Sequence, residues 1–189
     1  MANKTKQLHA KLSRRGPYGV DTGDLGFTGT PGAVLVPRGA PSPAPLVGWA
    51  HDWTKSPQYY TDTLKHLASW GFVVVAPASE RGGRPNHQQF ADDLSAAIDN
   101  VLQATLGRGS VRPDARRIGL AGHGLGGGVA ALLASQRTDI DAVAMVFPVD
   151  TVPSAAGRAM LIDSPALPLL FVGFVPLPAT TACAAAPPS

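Results

Sequence analysis

"RIGLAGHGLGGGVAALLAS", Arg117–Ser135, joins an apolar run to a helical run through six residues that read in two ways. Gly122-His-Gly124-Leu-Gly126-Gly127 fits G-x-G-x-x-G, the turn that holds a dinucleotide pyrophosphate. It also fits G-x-S-x-G, a sharp strand-to-helix elbow presenting a nucleophile, with Gly124 standing where the serine would be. Which pattern applies depends on what surrounds it.

The chain alternates strand-like and helix-like segments. "GAVLVP" (Gly32–Pro37) and "PLVGWA" (Pro45–Ala50) read as strands separated by the turn-forming "RGAPSPA". "SPQYYTDTLKHLASWG" reads as a helix with Ser56 as its cap, Pro57 at its first position and Tyr60, Leu64, Leu67 and Trp70 on one face. "FVVVAP" (Phe72–Pro77) is a continuous apolar run, the pattern of a parallel strand buried on both sides. After the loop "ASERGGRPNH" comes the helix "QQFADDLSAAIDNVLQATLG", with Phe90, Leu94, Ile98, Val101 and Leu102 on one side. "RRIGLAG", a helix from Leu125 to Ala134, and strands at Asp141–Pro148 and Ala166–Phe174 complete the series. Such alternation predicts a mostly parallel sheet with helices on both faces.

That order disfavours the dinucleotide reading. A dinucleotide fold places its glycines after the first strand, and here at least three strands precede them. The ribose-binding acid belongs at the end of the next strand. Asp141 stands at the start of that strand, and Asp150 comes too late.

The elbow reading uses more of the chain. Gly122 and Gly126 supply the small residues that a sharp turn needs on either side of the nucleophile, and Gly127 lets the next helix approach the sheet. "GWAHDW" (Gly48–Trp53) ends a strand where a second oxyanion donor would come from. Together "PLVGWAHDW", "HLASWGFVVVAP", "RIGLAGHGLGGG" and "MVFPVD" resemble the α/β-hydrolase superfamily, over roughly Gly32 to Gly173. The nearest branch is that of bacterial lipases, polyester hydrolases, dienelactone-hydrolase-like and chlorophyllase-like proteins. Its elbow reads G-H-S-x-G-G, and such enzymes often carry His-Gly where His51 and Asp52 stand here.

The resemblance implies an ester hydrolase built on a Ser-His-acid triad. This sequence departs from that triad. The nucleophile position is Gly124, Val175-Pro-Leu-Pro occupies the usual place of the acid, and no histidine follows His123. We therefore expect an α/β-hydrolase-type fold that is C-terminally incomplete, through truncation or a shifted reading frame, with little or no esterase activity. The backbone N–H groups of Trp53 and Leu125 are the expected oxyanion-type donors, and His123 is expected to support the elbow. His51, Asp52, Ser79 and Asp150 are candidate cleft residues, with His51 and Asp52 as a possible pair, Ser79 and Glu80 at the surface or the substrate edge, and Asp150 as a turn residue. Trp49, Trp53, Tyr59 and Tyr60 are either pocket lining or core. A non-catalytic protein that binds an apolar or acidic molecule, or a partner, in the old cleft is the alternative. A degenerate fragment with uncovered apolar surface is a third reading.

Composition sets the remaining limits. The chain has 189 residues, 44% apolar and 15% charged, enough for one domain with a sizeable core. Lys4, Lys6, Lys11, Arg14 and Arg15 gather near the start, so residues 1–20 are expected to be a flexible basic arm. The domain is expected over 21–174 and a disordered Ala/Pro-rich tail over 175–189. Cys183 is the lone cysteine, which excludes an intrachain disulfide and a cysteine-cluster zinc site. No leader, membrane span, cofactor, metal or nucleic-acid partner is expected. An ester or acyl molecule is the expected small-molecule ligand, and the cytoplasm is the default location.

Overall fold

A computed structural model describes residues 2–151 and 169–172. Among these residues seven strands form one sheet: β1 (Gly19–Asp24), β2 (Gly32–Arg38), β3 (Ala44–Ala50), β4 (Val73–Pro77), β5 (Pro113–His123), β6 (Ala142–Val146) and β7 (Leu169–Val172). Their spatial order is β1-β2-β4-β3-β5-β6-β7. β1 and β2 pair antiparallel, as do β2 and β4, and every pair from β4 to β7 is parallel. Among the described residues four α-helices accompany the sheet: α1 (Ala2–Leu12), α2 (Thr61–Ser69), α3 (His87–Gln103) and α4 (Leu125–Ala134). This is the α/β architecture expected from the sequence.

β4 is apolar and buried throughout because both its faces are covered, Val73 and Val75 in one core and Val74 and Ala76 in the other. Leu46 and Ala50 of β3 enter a core with Phe90, Leu94 and Ile98 of α3 and Val129 and Leu132 of α4. Val47 and Trp49, pointing the other way, pack with Leu64 and Ala68 of α2. α4 is buried along its whole length, so it carries no polar stripe at all. Asn86 caps α3, its side-chain oxygen accepting the Gln89 N–H at 3.0 Å.

Three details differ from the sequence reading. Residues 2–12, expected to be a flexible arm, form α1, a helix with exposed side chains made largely of good helix formers. The segment after it docks on α2: Gly16 N–H donates to Ser69 Oγ at 2.8 Å, and Tyr18 N–H to Ser69 O at 3.1 Å. β1 begins at Gly19, so the ordered unit starts before residue 21. Ser56 makes no side-chain cap, and Pro57–Tyr60 form a 3-10 turn ahead of α2. Over β3, β5 and β6 lies an apolar groove of about 640 Å³ lined by Val47, Leu67, Phe72, Ala121 and Ala144. The tail expected over 175–189 lies outside the described residues.

Candidate active site: an elbow with a carboxylate in the nucleophile's place

β5 is flanked by β3 and β6, and its C-terminal end is therefore the middle of the sheet edge where α/β proteins gather their chemistry. The chain leaves β5 at His123, turns through Gly124 and enters α4 at Leu125. Gly124 has φ +56° and ψ −121°, a conformation that side-chain-bearing residues adopt only under strain. Four backbone bonds hold it there, one of them from the Gly128 N–H to its carbonyl at 3.3 Å. Its N–H donates to Val146 O at 2.9 Å, while its carbonyl accepts from Gly127 N–H at 3.1 Å and Val149 N–H at 3.0 Å.

The neighbouring glycines are required by close approach. A Cβ on Gly122 would overlap the Gly126 carbonyl and lie 2.8 Å from Gly127 N. A Cβ on Gly126 would overlap the Ala50 carbonyl at the end of β3 and lie 2.5 Å from His51 O. One on Gly127 would come within 3.1 Å of Pro148. The turn is therefore a tightly packed elbow, and its geometry survives without a serine.

The space of the missing side chain is filled. A Cβ on Gly124 would overlap Asp52 Oδ1 and lie 2.9 Å from Oδ2. Asp52 Oδ1 accepts the Leu125 N–H at 2.9 Å. The expected oxyanion-type donor is thus bonded to a carboxylate from the loop after β3. That placement is electrostatically favourable, because an anion at a helix N-terminus meets unpaired N–H groups and the positive end of the dipole. It also opposes the dinucleotide reading, since a pyrophosphate would have to displace this carboxylate.

Tyr60 and His123 complete the cluster. Asp52 N–H donates to the Tyr60 hydroxyl at 3.1 Å, and that hydroxyl lies 3.0 Å from His123 Nδ1. Burial pushes the Tyr60 hydroxyl above its ordinary range, so it remains protonated at neutral pH and can donate to His123. His123 Nδ1 is 3.9 Å from Asp52 Oδ2. Sequence reasoning singled out Asp52 but missed where its side chain goes. Asp52 and Leu125, brought together at the elbow, are 73 residues apart in the chain.

The other expected residues are dispersed. His51 and Asp52 do not form a side-chain pair. His51 is 1% exposed, with its ring 4.7 Å from that of Phe90. Its Nδ1 lies 2.9 Å from Asp52 O and its Nε2 has no partner among the described residues. Ser79, expected at the surface, is buried, and its Oγ donates to Asp93 of α3. Glu80 is half-buried, and its Oε2 accepts the Asn86 N–H at 2.6 Å. Asp150 accepts the Thr151 N–H at 2.9 Å, a turn contact. Trp49 is core, whereas Trp53 and Tyr59 are exposed, the Trp53 indole N–H donating to Gly82 O at 3.1 Å. Among the described residues no group of His, Cys, Asp and Glu could hold a metal, and no helix is long and apolar enough to cross a membrane.

His51 makes stability depend on pH. Burial lowers its pKa below the ordinary histidine range, so below about pH 6.5 the unfolded chain takes up a proton that the folded chain refuses. Stability contributed by neutral His51 is therefore present above that pH and is lost as pH falls toward the depressed folded value. Melting temperature is expected to drop between pH 7.5 and 5. The drop should be shallower in His51→Gln, leaving the part due to His87, whose pKa burial also lowers. An identical slope in His51→Gln would refute the assignment.

Comparison with known proteins identifies the family and the fold. The family model described as Chlorophyllase matches residues 27–162. A cutinase of Thermobifida alba, est1, is 29% identical over 142 residues, covering 73% of this chain and 43% of that protein. Lipase 1 of Moraxella sp. (strain TA144) is 33% identical over 93 residues, covering 47% of this chain and 28% of that lipase. Less than half the length of these relatives is thus spanned by the chain. In fold, it resembles a putative dienelactone hydrolase from Klebsiella pneumoniae, with a TM-score of 0.64 and 19% identity over 81% of this chain and 72% of that one.

Proposed function

This chain belongs to the chlorophyllase family of α/β-hydrolases, and from that premise we propose that its cleft binds ligand without hydrolysing esters through the elbow. Its relatives include carboxylic-ester hydrolases by name, a cutinase and a lipase among them. Acyl transfer in such enzymes requires an oxygen nucleophile on the elbow and free N–H donors for the tetrahedral oxyanion.

One observation carries the reading: the Asp52 carboxylate fills the space of the Gly124 side chain and takes the Leu125 N–H. The loss is therefore double. No hydroxyl can attack, and an oxyanion forming nearby would meet a carboxylate instead of an open donor. An intact oxyanion hole without a triad retains about 10³–10⁴-fold catalysis over water in well-studied enzymes. With Leu125 N–H occupied, that residue of activity is not expected here. The same charge disfavours acidic ligands at this end of the cleft.

The test is hydrolysis of p-nitrophenyl acetate and butyrate by the full chain. The expected result is a rate equal to that of a boiled control. A saturable rate that boiling abolishes would overturn the proposal.

A further inference from the structure

The pair Gly124 and Asp52 reverses the charge that the elbow offers a ligand. We propose that the mouth between the ends of β3, β5 and β6 is a binding site for an organic monocation, an ammonium group with an apolar substituent. This rests on the proposed absence of elbow catalysis, because the carboxylate is assigned to recognition.

Asp52 is the charged element. Its side chain retains 29% of its exposure. Oδ1 is committed to Leu125, but Oδ2 takes no hydrogen bond among the described residues. No lysine or arginine pairs with it among the described residues. The nearest basic residue in the loop, Lys55, directs its ammonium instead over the Tyr59 ring, 4.8 Å from the centroid. The one basic neighbour of Asp52 among the described residues is His123, whose Nδ1 lies 3.9 Å from Oδ2 and faces the Tyr60 hydroxyl at 3.0 Å, so the carboxylate supplies the electrostatic half of an ammonium site.

Aromatic rings are the other half. Trp53 follows β3 by three residues and is 51% exposed, and Phe147 directly follows β6 and is 49% exposed. β3 and β6 are the two neighbours of β5 in the sheet, so the two residues belong to the segments that leave the strands flanking the elbow. Phe147 has φ +47°, unfavourable for a bulky residue. Here it presents an exposed ring edge-on to His123, with centroids 6.4 Å apart. Exposing two large aromatics at one end of the sheet serves no packing purpose, whereas ring faces attract cations within about 6 Å. The cost of desolvating a quaternary ammonium is lower than that of a compact primary one, because its charge is shielded by alkyl groups. The carboxylate would add attraction and the rings would cover the apolar substituent.

The experiment is a titration of the ¹⁵N-labelled full chain with benzyltrimethylammonium, benzyl alcohol and benzoate. The signals followed are the Trp53 indole N–H and the Leu125 amide. The ammonium is expected to give saturable shifts in both, while the neutral and anionic analogues bind more weakly. Asp52→Asn keeps an oxygen for the Leu125 N–H but removes the charge, and should weaken ammonium binding about fivefold or more. Phe147→Ala keeps a Cβ at the same positive φ and removes only the exposed ring, and should also weaken binding. Equal binding of benzyl alcohol or benzoate, unchanged affinity in Asp52→Asn, or no saturable shift would each overturn the proposal. Ester turnover is not read in this titration. A failed cation site would leave the esterase result intact, and ester turnover would leave the titration result intact.

Discussion

Replacing Gly124 by serine is expected to destabilise the protein by about 2–6 kcal/mol and to restore no esterase activity. Two costs combine. A side chain at φ +56° occupies a strained backbone region, worth about 1–3 kcal/mol. Its Cβ also drives out Asp52 Oδ1, leaving the Leu125 N–H without its acceptor, worth about 1–3 kcal/mol if the donor stays dry. Trimming the partner removes the overlap. Asp52→Ala with Gly124→Ser should therefore be more stable than the sum of the two single changes implies, by about 1 kcal/mol or more. Urea unfolding of the four proteins in the cycle measures this coupling. Additive effects would show that the two positions do not share space.

Gly126→Ala is expected to cost about 3 kcal/mol or more, the second large effect. The added methyl would strike the Ala50 carbonyl at the end of β3, and both partners are backbone. Neither can rotate away, so α4 must lift from the sheet along a helix that is buried throughout. Gly119→Ala in the same strand–helix unit is the control. Its Cβ would meet Ala142 O at 3.7 Å, an ordinary contact, and the change should be tolerated within about 1 kcal/mol. Similar losses at both positions would mean that close approach is not what the elbow glycine provides.

The layered core was legible in the sequence because its signals are local. "FVVVAP" and "RRIGLAG" announce strands covered on both faces, and the spacing of Phe90, Leu94 and Ile98 gives the helix stripe that covers one of them. β1 was not legible. "GVDTGD" has no buried alternation and is held by its ladder to β2, a backbone interaction that leaves no mark on side-chain pattern. α1 was missed for a related reason: its exposed, lysine-bearing surface shows no apolar face to distinguish a helix from a solvated arm.

The elbow was readable from Gly122, Gly126 and Gly127, because tight turns demand small residues. The role of Asp52 was not, because it rests on a non-local contact that no spacing rule encodes. The clue was present as two separate departures from the His-Gly and Gly-His-Ser patterns. Only the pairing of β3 with β5 brings the two positions together, with the Asp52 carboxylate accepting the N–H of the residue after Gly124.

The ¹H chemical shift of the Leu125 amide tests this contact most directly. In the native chain, an amide donating to a carboxylate at 2.9 Å is expected well downfield of the other amides of α4, and slow to exchange. In Asp52→Ala, that signal should move upfield by a large margin and exchange faster, while amides at the far end of α4 stay in place. A Leu125 amide at the same position in both proteins would contradict the presence of the Asp52 carboxylate at the elbow.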